Sequence, residues 1–337
     1  MLPLRTDRTV IDVMQPEHAS ALAAYRTLPE VARFQSWDVP FTPDDAAAVL
    51  DPQRGRTGPE RGDWTQLAVT DASGLLGDLA VYLDPSGEHA EVGVTLAPHA
   101  QHRGLGGEAL GALVDALFAS GIRRVEARTD PANLASIRLL ERLGFEVEAV
   151  LRETARVRGA WVDDVLWVAD PVRRSAWLAR SLHAPASVEL VEITPETART
   201  YSRLRVHHSQ QALVAPVLES YSDALFPEWY EGGIVAPWLR GITADGEPVG
   251  FVMTAEVTDV HPEPYLWRLL VDRRHQGRGI GSAVIARLVE RWSGMGHSSM
   301  IVGWVDAPGG PEAFYRGLGF EPTGKREHGE VEGRLRF

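Results

Sequence analysis

A six-residue pattern, Gln-x-x-Gly-x-Gly, occurs twice in this chain. Gln101-His102-Arg103-Gly104-Leu105-Gly106 and Gln276-Gly277-Arg278-Gly279-Ile280-Gly281 stand 175 positions apart. Each copy follows an apolar, strand-like run and opens a helix-like run. Each is followed at the same distance by Leu-Gly-Phe, as Leu143-Gly144-Phe145 and Leu318-Gly319-Phe320. The spacing holds without a net insertion, so a strand, a glycine turn, a helix and a distant Leu-Gly-Phe form one duplicated unit. A length of 337 residues suits two domains. The segment from Pro171 to Ser187, with a short amphipathic stretch and then Pro185, reads as the boundary, giving domains over 1–180 and 185–337.

The turn has a definite chemistry. Glycine lets backbone approach a ligand without a Cβ clash. A helix starting directly afterwards presents unpaired N–H groups and the positive end of its dipole. Together they suit a pyrophosphate. The spacing is neither the G-x-x-x-x-G-K-[ST] of nucleotide hydrolases nor the G-x-G-x-x-G of dinucleotide folds. A tight turn without a ligand is the plain alternative.

Composition narrows the function classes. The chain has no cysteine, which excludes disulfide scaffolds, thiolate metal sites and cysteine nucleophiles. A net charge of −12 argues against nucleic acid as a partner and is compatible with a cationic amine. No apolar run reaches 18 residues, so no membrane span is expected. Met1–Arg8 has no signal-like apolar stretch, and a cytoplasmic location is the expectation. A monomer or homodimer is expected.

Strand-like runs at Thr65–Thr70, Gly77–Leu83, Glu91–Ala97, Arg124–Thr129 and Trp161–Val168 alternate with helical runs at Gly107–Ser120 and Leu134–Leu143. The second half repeats the order through Val249–Val257, Tyr265–Val271, Ser282–Ser293, Ser299–Val305 and Glu312–Leu318. This alternation predicts an α/β class.

Q-x-x-G-x-G between a strand and a helix, with Leu-Gly-Phe downstream, resembles the acyl-CoA loop of the GCN5-related N-acetyltransferases (GNAT fold). The likeness covers nearly the whole chain. The first copy has Trp37 near Pro-Phe-Thr, Glu91-Val92-Gly93 before the loop and Asn133-Leu134-Ala135-Ser136 before Leu-Gly-Phe. It is similar to the ribosomal-protein alanine acetyltransferases. The second, with Trp267-Arg-Leu-Leu-Val-Asp272 and Phe314-Tyr315, is similar to diamine or spermidine acetyltransferases. The resemblance implies two tandem GNAT folds, each a mixed, splayed β-sheet flanked by helices. It also implies acetyl-CoA as co-substrate, its pantetheine arm lying between two parting strands.

Acetyl transfer to an amine requires a positioned thioester, removal of an amine proton, an oxyanion site and a donor to the departing thiolate. Val94, Thr95 and Leu96, and Leu269, Leu270 and Val271, are the expected pantetheine neighbours; their side chains also suit a core. Both glycine turns, with Gly107 and Ser282 just inside the helices, are the expected phosphate cradles, and Arg103 and Arg278 suit phosphate contacts. The resemblance makes Tyr315 the thiolate acid of the second copy; a packing tyrosine is the alternative. The first copy has Leu140 there, and instead Asn133 to hold pantetheine and Ser136 near the thiolate, where capping alone would also place them. Glu91 is the candidate base or water-orienting carboxylate of the first copy, or a solvated strand residue. Glu256, His261 and Glu263 lie near the corresponding region of the second. Glu219, Asp223, Glu228 and Glu231, with Glu256, Asp259 and Glu263, are expected to form an acidic mouth.

The resulting expectation is acetyl transfer to a primary amine of a small cationic molecule such as a polyamine, amino sugar or antibiotic. The alternatives are N-terminal protein acetylation and a CoA-binding regulatory or scaffold module.

Overall fold

The computed structural model describes residues 2–226, 229–230, 233–234, 236–259, 262–327 and 329–337, without the side chains of 229, 230, 233, 234 and 327. The chain divides into two compact units, Met1–Ala179 and Arg180–Phe337.

In the first unit the strands are β1 (Leu4–Arg5), β2 (Val10–Val13), β3 (Trp64–Asp71), β4 (Gly74–Leu83), β5 (His89–Leu96), β6 (Arg124–Thr129), β7 (Glu146–Val157) and β8 (Ala160–Ala169). They form one sheet in the order β1-β2-β3-β4-β5-β6-β8-β7, antiparallel except for β5 beside β6. The helices are α1 (Ala19–Arg26), α2 (Pro29–Ala32), α3 (Pro43–Leu50), α4 (Leu105–Ala119), α5 (Leu134–Arg142) and α6 (Pro171–Leu178). Strand alternation builds two cores. Leu67 and Val69 pack with Leu105, Leu110, Leu113, Ile137 and Leu140 of α4 and α5. Ala68, between them, packs on the other face with Leu22, Tyr25, Val31 and Leu50 of α1 to α3.

The second unit repeats the plan. Its strands are β9 (Val188–Val191), a separate small pair β10 (Trp229–Tyr230) and β11 (Gly233–Ile234), then β12 (Pro237–Ala244), β13 (Glu247–Ala255), β14 (Tyr265–Val271), β15 (Ser299–Val305), β16 (Glu321–Glu327) and β17 (Glu330–Arg336). The main sheet runs β16-β17-β15-β14-β13-β12-β9, with β14 and β15 parallel. Its helices are α7 (Pro195–Tyr201), α8 (Val217–Leu225), α9 (Ile280–Gly294) and α10 (Glu312–Gly317). Val252 faces Val284, Ile285 and Leu288 of α9. Phe251 and Met253 face Tyr201 and Val217 of α7 and α8. Both units are thus mixed sheets covered by helices on both faces, the α/β arrangement the sequence predicts.

The Leu-Gly-Phe segments have a structural cause. Gly144 and Gly319 adopt φ of +82° and +93° just past α5 and α10. Phe145 N–H then bonds to the Leu140 carbonyl, and Phe320 N–H to the Tyr315 carbonyl. This is a left-handed helix stop followed by an aromatic anchor; Phe145 and Phe320 are fully buried. No helix among the described residues is long and apolar enough to cross a membrane.

Candidate active sites

Each sheet forks at its parallel pair. β5 pairs with β6 only over His89–Glu91, opposite Arg124–Glu126. β14 pairs with β15 only at Tyr265 and Leu266, opposite Ile301 and Val302. Beyond these points the inner strands keep their antiparallel partners, β4 and β13, while the facing edge opens. β14 also carries a bulge near Trp267, between Thr254 and Met253 of β13, and β5 pairs with β4 without one. An open strand edge offers backbone N–H and C=O groups to an extended ligand.

The glycine turn sits at the end of each inner strand. Gln101 Nε2 donates to the Leu96 carbonyl at 2.9 Å, and Gln276 Nε2 to the Val271 carbonyl at 3.0 Å. The glutamine of the motif therefore ties the turn to the last residue of the strand in both copies. Gly104 and Gly279 are the helix N-caps, at φ +79° and +77°. A second left-handed residue precedes each: Gly277 at +76° in one copy, His102 at +58° in the other. A side chain at this φ is strained, so the first copy holds the same path at a cost glycine avoids. The last glycine serves packing. A Cβ on Gly281 would stand 3.0 Å from the Phe314 ring, and one on Gly106 3.2 Å from Leu96 Cδ1. Leu105 and Ile280 are buried in the cores.

In the second unit the turn, the fork and the region beyond it line one cavity of about 640 Å³. Leu269, Val271, Gln276, Gly277, Gly279, Ile280, Gly281 and Ser282 all reach it, and so does Tyr315. Leu270 points to the opposite face, among Phe251 and Met253, and Arg278 is absent from the lining. Arg278 donates from Nε to the His183 carbonyl at 2.9 Å and lies 2.9 Å from His275 Nδ1. Tyr315 is held by its ring, stacked on Trp304 at 5.6 Å and edge-on to Phe314 and Phe320 at 5.1 and 5.4 Å. Burial, reinforced by Tyr265 and Glu330, pushes its phenol well above the ordinary tyrosine range, so it stays a neutral donor. Asp272 closes the strand: its carboxylate accepts from the backbone N–H of Arg205 and Arg274 at 3.0 Å each and from Arg274 Nε at 2.9 Å.

In the first unit a cavity of about 500 Å³ brings together Glu91, Val94, Thr95, Asn133 and Ser136. Leu96 and the turn residues Gln101, His102, Arg103, Gly104, Leu105, Gly106 and Gly107 are not in its lining. Arg8 instead lies across that turn, donating from Nη1 to the Arg103 carbonyl at 2.9 Å and from Nε to Glu108 at 2.6 Å. Asn133 caps α5 through a 3.2 Å bond from the Ser136 N–H. Burial raises the Glu91 carboxyl pKa; Arg128 at 3.6 Å counters this, while Glu126 and Asp164 add to it. The far wall holds a buried pair, Arg26 Nη2 to Asp78 Oδ2 at 2.6 Å, with the guanidinium 4.4 Å from the Trp37 ring centroid.

Three carboxylates of the expected acidic mouth are held in ion pairs. Asp223 pairs with Arg268 at 2.6 Å, Glu256 with Arg291 at 2.8 Å and Glu263 with Arg334 at 2.6 Å. None of the three carboxylates lines the cavity, whereas Arg268 does. Glu228, Glu231 and His261 lie outside the described residues. Among the described residues, the carboxylate that reaches the second cavity is Glu330, which the sequence motifs do not point to.

The family model described as "Acetyltransferase (GNAT) domain" matches residues 8–146, and "Acetyltransferase (GNAT) family" matches residues 203–320. The uncharacterized N-acetyltransferase p20 of Bacillus licheniformis is 28% identical over 166 residues, 48% of this chain and 93% of that protein. The uncharacterized N-acetyltransferase YoaA of Bacillus subtilis is 26% identical over 152 residues, 44% of this chain and 86% of that protein. Among solved structures, a ribosomal-protein-S5-alanine acetyltransferase of Vibrio fischeri has a TM-score of 0.44 at 19% identity, covering 50% of this chain and 97% of that one.

Proposed function

Because the chain belongs to the GNAT acetyltransferase family, with one such domain in each half, and these enzymes take acetyl-CoA as donor, we propose that it moves the acetyl group to a primary amine of a small molecule, chiefly in its second copy. The carrying observation is the continuous second cavity, which links the Gln276–Ser282 turn, the open edge of β14 and the Tyr315 phenol. Phosphates suit the turn, where α9 begins at a left-handed glycine. Pantetheine suits the fork, and the thioester then lies near Tyr315.

Transfer proceeds in a balanced sequence. The ammonium gives up a proton, and the nitrogen lone pair attacks the acetyl carbon. Backbone N–H groups on the open strand edge stabilise the oxygen as it gains charge. The C–S bond breaks, the neutral Tyr315 phenol gives its proton to the sulfur, and the second N–H proton, left on the acylated nitrogen, passes to the Tyr315 oxygen, so that a neutral amide, a free thiol and a neutral phenol result. The first copy is assigned the same donor, with Asn133 and Ser136 in place of the tyrosine and Glu91 as its carboxylate.

A free-thiol assay tests the reading, using acetyl-CoA with propylamine, spermidine and glucosamine. The expected result is CoA release that depends on an amine. Tight acetyl-CoA binding without amine-dependent release would instead make the chain a CoA-binding module.

A further inference from the structure

Sheet register superposes the two sites in a way that sequence spacing hides. Thr129 of β6 and Trp304 of β15 are separated by the same 175 positions as the glycine turns. Thr129 pairs with Val165, and Trp304 pairs with Val331. The residues just before these partners are Asp164 and Glu330, which are separated by only 166 positions. The difference arises in the terminal hairpin, which is longer in the first copy, with strands Glu146–Val157 and Ala160–Ala169 against Glu321–Glu327 and Glu330–Arg336. Both copies thus place a carboxylate at one structural position, and both carboxylates line their cavities.

What faces the carboxylate differs. Position 303 on β15 is glycine, and a Cβ there would collide with Glu330 Oε2 and come within 3.1 Å of the Tyr265 hydroxyl. Glycine at 303 therefore makes room for the Glu330 head beside the fork, near Tyr315. The matching residue in the first copy is Arg128, which lies 3.6 Å from Glu91 and draws the pKa of Asp164 downward against its burial. The first carboxylate thus has Arg128 as its neighbour, and the second has a glycine at the matching position, with the Tyr265 hydroxyl and Tyr315 close by.

We propose that Glu330 is the group of the second copy that receives the acceptor amine, taking one proton from its ammonium as the nitrogen attacks. The proposal rests on the acetyl-transfer reading above. In the step one N–H bond breaks and one carboxyl O–H bond forms; Tyr315 supplies the separate proton to sulfur and regains one as the second N–H bond of the acylated nitrogen breaks, and the Glu330 carboxyl then releases its proton to solvent. An ammonium is the acceptor form that a carboxylate, Tyr265 and Tyr315 all favour, by charge and by cation–π contact. This assigns the cationic acceptor to the inside of the cavity rather than to an acidic rim.

The test uses the full chain carrying Gly104→Glu, which removes the first copy's contribution, and whichever of propylamine, spermidine and glucosamine gives the fastest CoA release. Glu330→Gln is expected to lower kcat about a hundredfold or more, the usual range for a lost general base, with acetyl-CoA Kd unchanged. Gly303→Ala, which leaves the carboxylate in the chain but displaces it, is expected to lower kcat in the same direction, and unchanged acetyl-CoA binding shows that each variant is folded. A Glu330→Gln kcat equal to that of the background overturns the assignment while leaving acetyl transfer intact. A background already inert while the unmodified chain is active moves the chemistry to the first copy and also overturns it. No amine-dependent release from the unmodified chain defeats the acetyl-transfer reading itself.

Discussion

Tyr315→Phe removes one oxygen from the second cavity and keeps every ring contact. The ring remains between Trp304, Phe314 and Phe320, and the residue is 7% exposed. A lost hydroxyl on a retained ring is expected to change stability by no more than about 1 kcal/mol. The rate effect is expected to be larger, because the role proposed for the phenol is confined to the breaking of the C–S bond. Loss of one such transition-state donor corresponds to roughly 1.4–4 kcal/mol, or about tenfold to a thousandfold in kcat. Acetyl-CoA affinity is expected to stay within about twofold, since the turn and the fork are untouched. The pH profile gives an independent sign. An ordinary tyrosine loses its proton near about pH 10. Burial beside Tyr265 and Glu330 raises the Tyr315 pKa, so the acid remains protonated through moderately alkaline pH and sets no falling limb there. The assay is thiol release under saturating acetyl-CoA with the first turn blocked by Gly104→Glu. An unchanged kcat, or a loss explained wholly by weaker acetyl-CoA binding, refutes the role given to Tyr315.

Two further outcomes follow from the braces and carboxylates around the sites. Asp272→Ala leaves the Arg205 and Arg274 N–H groups without their acceptor and is expected to destabilise the second unit by about 2–3 kcal/mol, read by denaturant unfolding. Burial opposes ionisation of Asp272, but the bonds from Arg274 and from the Arg205 and Arg274 N–H groups outweigh it and lower its pKa. Its contribution is therefore present above the unfolded aspartate value and lost as pH falls through the folded one. Glu91 has the opposite sign: its raised pKa means that the ionised form is disfavoured by folding, so Glu91→Gln is expected to raise Tm at neutral pH, the gain closing in acid. A lower Tm for Glu91→Gln at neutral pH would show that the Arg128 contact outweighs burial.

Much of this architecture is legible in residue spacing because the glycine turn is a local device. Left-handed φ at 104 and 279, the tie from Gln101 or Gln276 to the preceding strand, and the helix stop at Leu-Gly-Phe each need only a few neighbouring residues. What is not legible depends on distant partners. The strand Glu146–Val157 carries charges along an exposed hairpin, so its composition hides its pairing with Ala160–Ala169. The short β1–β2 hairpin is placed by Glu108, about a hundred positions away, which accepts from the Arg8 N–H at 2.8 Å. The acidic residues before β14 look like one patch in sequence, but Arg268, Arg291 and Arg334 arrive from separate elements and neutralise three of them. Glu330 escapes notice because the 175-residue repeat breaks within the terminal hairpin, and only register across β15 and β17 restores the match to Asp164.

The proposal that acetyl-CoA binds at both glycine turns is tested most directly by calorimetric titration of acetyl-CoA. Gly104→Glu and Gly279→Glu each set a carboxylate where the pyrophosphate is to lie, at helix N-caps with φ of +79° and +77°. Two sites are expected in the unmodified chain and one in each single variant. A stoichiometry of one in the unmodified chain, abolished by Gly279→Glu and untouched by Gly104→Glu, would contradict the proposal and make the first unit a scaffold.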